Sequence, residues 1–230
     1  MTTYDALQPS KLGTKEHWDN VYQQELENFE EIGDEGEIWS AVMRSWFHFV
    51  PLLMGEVRFG EDSVEKMVDW VSEHVPPSNN ASILEVGSGN GTLLFGLLEA
   101  SYDPATLYGI DYSAGAVKLA AGIAESRGAS RITFSECDFL NEDPILPKNV
   151  DSSAEGIQVW DLLLDKGTYD AIALGEKNEQ GYSPAVKYPN RVSRLLKPGG
   201  FFLITSCNFT EEELKVNFST EDTGLIYQYA

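Results

Sequence analysis

Basic residues are scarce in this chain: 16 Lys and Arg stand against 37 Asp and Glu among 230 residues, a formal charge of −21. Such a field repels polyphosphate, so no nucleic acid is expected as partner, and a basic protein or a small ligand fits better. Cysteine is scarcer still. Cys137 and Cys207 lie far apart in sequence with no neighbouring His, which argues against a disulfide framework or a zinc site, and no metal is expected. Long apolar runs are missing too. The most apolar stretch, Trp46 to Met54, contains His48 and Pro51 and is about half the roughly 20 residues a membrane span requires. The opening MTTYDALQPS has neither the basic nor the apolar block of a signal peptide. No membrane association is expected, and the cytoplasm is the default compartment, without excluding the nucleus. What is present is a hydrophobic share of 42% with 11% aromatics, enough to fold despite the charge.

From Ser82 onward, short apolar runs of β type alternate with helical stretches, the pattern of a parallel sheet wound with helices. Before it, Val64, Met67, Val68 and Val71 follow Ser63 at helical spacing until Pro76-Pro77. Strands are expected at Ser82 to Val86, Leu107 to Ile110, Ile132 to about Cys137, Trp160 to Asp165 and Phe201 to Thr205. Between them, helices carry Leu93, Leu94, Leu97 and Leu98, then Val117, Ala120, Ala121 and Ala124 behind a Ser113 cap, then about Pro189 through Leu196. Asn141 to Gly156 reads as a solvated loop and Gly175 to Tyr182 as turns. Lys197-Pro198-Gly199-Gly200 reads as the turn into the fifth strand, and Thr210 to Leu214 as the start of a helix with acids at its positive end. The acidic run Glu25 to Glu37 reads as a solvated face that could also steer a basic partner.

The first strand runs into Gly87-Ser88-Gly89-Asn90-Gly91. Glycines there permit a tight turn and close approach of a ligand to the main chain. A dinucleotide fingerprint wants its third glycine at position 92, where Thr92 stands, and Glu85 suits a ligand with a cationic end better than a pyrophosphate. Asp111 ends the second strand about 20 residues on, where an acid can accept from a ribose diol; the bland alternative is a helix-entry acid. Asp138 and Phe139, just past the third strand, suit an adenine amino group and ring, although a strand-end acid beside a core aromatic is the commoner pairing.

Glu85 to Gly91, Asp111, Asp138 and the Leu196-to-Gly200 turn together resemble the class I S-adenosylmethionine-dependent methyltransferases. Asp165-Lys166-Gly167-Thr168-Tyr169-Asp170-Ala171 narrows this: it looks like the protein-lysine methyltransferases acting on eukaryotic translation elongation factor 1-alpha. Leu12 to Asp19, Gly36 to Trp39, Phe202 to Asn208 and Phe209 to Leu214 agree with that resemblance. It implies a Rossmann-like α/β fold of seven strands, with a mostly parallel central sheet flanked by helices and a last antiparallel part that is incomplete here. It also implies S-adenosylmethionine as methyl donor and a lysine of elongation factor 1-alpha as acceptor. Carried over, Glu85, Gly87, Ser88, Gly89 and Gly91 hold the methionine part, Asp111 and Tyr112 the ribose side, Asp138 and Phe139 the adenine, and Trp39 closes the pocket. Asp165 stands beside the reacting methyl as an orienting group, with capping of the Lys166-Gly167-Thr168 turn as the alternative. Tyr4, Trp18 and Tyr22 are either lid aromatics or core.

Within the resemblance, residues 1–39 form a lid region and 59–230 the methyltransferase domain. The segment from Ser40 to Arg58 is expected to be an apolar insertion from a retained intron or misplaced splice junction, or else a substrate-gripping loop. After the fifth strand, only Leu225 to Tyr229 remains to begin the antiparallel pair. A small-molecule methyltransferase and an inactive cofactor-binding or interaction module therefore stay open as alternatives.

Overall fold

A computed structural model of the chain describes residues 7–36, 59–147 and 158–228. Expectations for Tyr4, Trp39, the insertion, and the loop from residue 148 to 156 fall outside those residues.

Five strands form one parallel sheet in the order β3-β2-β1-β4-β5. They are β1 (Ile83–Val86), β2 (Leu107–Asp111), β3 (Thr133–Glu136), β4 (Trp160–Lys166) and β5 (Leu196–Thr205). The chain winds outward from β1 through β2 to β3, then returns to lay β4 on the other side of β1. In such sheets ligands bind outside the carboxyl ends of the strands where the order reverses, here beyond Val86, which stands beside both Ile110 and Asp165.

Alternation along the strands feeds two cores. Ile83, Leu162 and Leu164 pack with Met67 and Val71 of α2 (Phe59–His74), Leu93 and Leu97 of α3 (Thr92–Glu99), and Leu119 and Ile123 of α4 (Ala114–Ser126). Leu84, Val86 and Leu163 pack with Tyr169 of α5 (Thr168–Ala173), Tyr188 and Val192 of α6 (Tyr188–Leu195), and Phe218 of α7 (Glu211–Phe218). Each such side chain contributes about 1.5–3 kcal/mol on burial. A parallel sheet covered on both faces explains why β1 is buried at all four positions, Glu85 included. Among the described residues no helix is long and apolar enough to cross a membrane.

The structure departs from the sequence reading in several places. The first part of the acidic run, read only as a solvated face, is the second half of a helix, α1 (Lys15–Ile32); Glu27, Glu30 and Glu31 are exposed on it, while Tyr22 and Glu25 are buried. Thr14 starts α1 by accepting the His17 N–H at 3.3 Å. This helix lies on α4, where Gly115 and Gly122 leave room for the Tyr22 backbone and the Phe29 ring. Ser113 occupies the cap position of α4, but its own side chain caps nothing; the Asp111 carboxylate, instead, accepts the Ser113 N–H at 2.9 Å. Lys197 to Gly200 belongs to β5 rather than preceding it, and the register shift between Trp160 and Leu162 absorbs the irregularity. Helix α5, absent from the sequence reading, follows the turn after β4. The described strands number five rather than seven, and Leu225 to Gln228 form no strand.

Candidate functional site

The β1–α3 turn consumes its own backbone donors. The Ser88 N–H donates to the Ile110 carbonyl at 2.9 Å, the Gly91 N–H to the Ser88 carbonyl at 2.8 Å, and the Gly89 N–H to Asp111 Oδ2 at 3.1 Å. At the start of α3 the Thr92 N–H reaches Asn90 Oδ1 at 3.4 Å, and the Leu94 N–H supports the ionised form of Glu85. A pyrophosphate needs those amides free. Those amides are thus not open to a pyrophosphate, and the positive end of α3 already has an acid in Glu85.

The glycines were expected to admit a ligand to the main chain. On the side a Cβ would occupy the protein itself packs: Thr168 lies against Gly87, Tyr22 against Gly89, and Phe134 with Phe95 against Gly91. Gly89, at φ +54°, could not carry a side chain, since a Cβ there would stand 2.5 Å from the Tyr22 hydroxyl.

Glu85 is 2% exposed, and its Oε2 has no hydrogen-bond partner among the described residues. Burial pushes its pKa upward and the neighbouring Asp111 and Asp165 add to the push, while Lys166 works against it. Asp111, also buried, is pushed up to about 6 by burial, against which the Ser113 and Gly89 N–H groups and Lys15 pull. Its two oxygens retain acceptor capacity beyond those two amides. Tyr22 sits close to Asp111, Glu25 and Glu85, and burial first, then those acids, keep it a neutral phenol.

Around this core, Tyr112 bridges to the amino-terminal segment: its hydroxyl donates to the Thr14 carbonyl at 3.4 Å, and Lys15 Nζ lies 5.5 Å from its ring. Ser88 Oγ is buried with no hydrogen-bond partner among the described residues. Asp138 turns its carboxylate to the Leu140 N–H at 3.1 Å and the Asn141 amide at 2.7 Å. Phe139 is buried 4.7 Å from the Tyr188 ring, with the Arg191 guanidinium 5.7 Å from its centre, so its packing partners are α6 residues. Asn90 donates to the Glu35 carbonyl at 3.1 Å, and Arg127 pairs with the Glu35 carboxylate, which fixes the chain after α1 over the glycine turn. Neither Arg127 nor Glu35 carried a sequence signal, because they are 92 residues apart.

Asp165 is fully buried and saturated. Its carboxylate accepts the Thr168 N–H at 2.8 Å, the Tyr169 N–H at 3.0 Å and the Tyr188 hydroxyl. Burial lifts its pKa to about 7 against the pull of those donors. This geometry is that of the turn-capping alternative. Asp170 in the same motif is also buried and holds the segment after β5 by accepting from the Ser206 hydroxyl and the Cys207 N–H, both at 2.6 Å. Cys137 offers no thiolate, since burial pushes it up to about 11.

The residues brought together at the reversal point are therefore Glu85, Gly89, Asp111, Tyr22 and Lys166, with Asp138 and Phe139 at the next strand end. They can take a cationic group at Glu85 and a diol at Asp111. An unsatisfied buried carboxylate oxygen is the feature a cofactor with an ammonium end would complete, so these residues fit such a group.

A family model described as a methyltransferase domain matches residues 77–227. EEF1A lysine methyltransferase 2 of Homo sapiens is 40% identical over 215 residues, covering 94% of this chain and 76% of that protein. Protein-lysine N-methyltransferase efm4 of Schizosaccharomyces pombe is 39% identical over 226 residues, covering 93% and 83%. In fold the chain is similar to the [4+2]-cyclase SpnF, with a TM-score of 0.53 at 19% identity over 87% of this chain and 62% of that one.

Proposed function

The chain belongs to the methyltransferase family that includes the EEF1A lysine methyltransferases, and from that premise we propose that it transfers methyl groups from S-adenosylmethionine to a lysine side chain of elongation factor 1-alpha. The observation that carries the cofactor half is Glu85, a buried acid with one oxygen unsatisfied beside the turn where the strand order reverses. The acceptor half rests on the relatives.

S-adenosylmethionine supplies a methyl group already activated on a sulfonium, which leaves placement and proton handling to the protein. Glu85 would face the ammonium of the amino-acid end, Asp111 with Tyr112 would meet the ribose, and Asp138 and Phe139 would line the base side. Asp165 is a positioning residue. By capping α5 it fixes Thr168, whose hydroxyl donates to the Val86 carbonyl at 2.8 Å and so sets the floor under Gly87. A lysine with an ordinary pKa of about 10.4 arrives protonated. The acidic rim attracts that cation, and the neutral amine needed for attack forms when its proton passes to water. The net charge of −21 supports a basic macromolecular acceptor over a small neutral one.

Incubating the chain with purified elongation factor 1-alpha and the donor, followed by peptide mass spectrometry, should place methyl groups on a lysine. Transfer to small amines alone would overturn the acceptor reading, and absence of donor binding in calorimetry would overturn the cofactor reading.

A further inference from the structure

Strand β5 is the longest of the sheet, 10 residues, and it lies at an edge: among the described residues no strand pairs with its outer side. The side chains register that position. Leu162, Leu163 and Leu164 of β4 are 0% exposed, while their level neighbours Phe201, Phe202 and Leu203 on β5 are only half-buried. Helices already lie over both faces, for Trp70 of α2 stands edge-on to Phe201 at 5.5 Å and Phe218 of α7 meets Phe202 at 5.1 Å. What is left open is therefore the edge itself. Soluble proteins commonly blunt such an edge with short length, charge or proline. Lys197 and Pro198 do so at the start of β5, but residues 199–210 carry neither charge nor proline.

Main-chain direction limits what can fill the gap. The Thr205 carbonyl accepts the Gly167 N–H at 3.0 Å, so in a parallel ladder Thr205, Leu203 and Phe201 turn their N–H and C=O groups to β4, and Phe202 and Ile204 turn theirs outward. A second copy of the same edge, antiparallel about a two-fold axis at Leu203, sets Phe202 opposite the partner's Ile204. Each outward N–H and C=O of that window then finds its mate. Phe202 and Ile204 continue the α7 face across the axis, and the two Leu203 side chains meet on the α2 face. Charge favours the same occupant. Each chain carries −21, so copies repel where their acids meet and can approach where there are none, whereas a basic partner gains nothing at an uncharged edge. We propose that the β5 edge is a self-association surface: two copies of this chain pair antiparallel through residues 201–205 into one continuous sheet. The dimer is isologous, and its two crevices open at opposite ends of that sheet.

Sedimentation equilibrium of the full chain over about a hundredfold range of concentration should show a monomer–dimer equilibrium that tightens with added salt, as screening relieves the repulsion. Leu203→Lys lowers the net repulsion but places two cations across the axis, and should raise the dimer's dissociation constant at least about tenfold. In a Cys207→Ser background, which removes the exposed thiol, Leu203→Cys should close a disulfide between copies under oxidised glutathione. Antiparallel partners at such an unbonded position bring their Cα atoms to about 4.5 Å, within disulfide reach. A wild-type chain that stays monomeric at every concentration and salt overturns the proposal, whatever else covers the edge. So does a dimer that Leu203→Lys leaves intact and Leu203→Cys leaves uncrosslinked, since its interface lies elsewhere. If Leu203→Lys does not fold, hydrogen exchange of the wild type decides. The Phe202 and Ile204 N–H groups should exchange at least about tenfold more slowly in concentrated than in dilute protein, and equal rates overturn the pairing.

Discussion

Strands β1 and β4 lie side by side, end within a residue of one another, and each leads through a glycine at φ +83° into a helix, Gly91 before α3 and Gly167 before α5. Their acids behave oppositely. Asp165 spends its acceptors on three donors from its own turn and from Tyr188, whereas Glu85 keeps an oxygen unsatisfied in an equally buried place. Two carboxylates at neighbouring strand ends thus divide into one that builds and one left with an oxygen to offer, the acid we propose to bind the cofactor. Hydrogen-bond saturation separates the roles; burial does not.

The contrast is broken most directly at the building acid. Asp165→Ala strips three buried donors of their partner and should destabilise the protein by about 3–5 kcal/mol in urea unfolding; a loss below about 1 kcal/mol would deny it a structural role. Protons give a second handle. Burial holds Asp165 near 7 and Asp111 near 6, above their unfolded value of about 3.9. The native state therefore binds more protons than the unfolded chain between about pH 4 and 7, and their contribution to stability falls as pH rises through that window. Unfolding without cofactor should weaken by about 1–3 kcal/mol from pH 4.5 to pH 7.5, and Asp165→Asn should flatten the slope. Increasing stability across that range, attributable to these acids, would contradict their burial.

At the binding acid the expected loss is in affinity instead. Glu85→Gln should lower affinity for S-adenosylmethionine about tenfold, or about 1.4 kcal/mol, with unfolding stability changed by less; calorimetry and urea titration of one preparation read both. The opposite result, intact binding in a destabilised protein, would make Glu85 a second Asp165. Smallest is Thr168→Val, which removes the hydroxyl joining the two turns and should cost about 1 kcal/mol of stability.

Much of this was legible in the sequence because it is local. The alternation after Ser82 marked the sheet, and the strand-end positions of Glu85, Asp111, Asp138 and Asp165 marked one rim. What was not legible depended on distant partners. Asp165 cannot be told from a catalytic acid until Tyr188 is seen donating to it from 23 residues away. Helix α1 hid in an acidic run because most of its polar face is solvated and its buried stripe is short, only Tyr22 and Glu25 being fully covered. Lys166 was passed over as part of a turn, although its position next to Asp165 at a strand end already put it on the opposite face.

The glycines that seat α1 on α4 also decide how movement would travel. Helix α4 starts where Asp111 holds Ser113, α1 rides on α4 at Gly115 and Gly122, and Tyr22 of α1 returns to Gly89, which is itself bonded to Asp111. These contacts close a mechanical circuit through one half of the crevice, to which the β4–α5 half is joined by the Thr168 hydroxyl on the Val86 carbonyl. A pull on α1 is a pull on Asp111, and it reaches the turn built on Asp165 through Thr168.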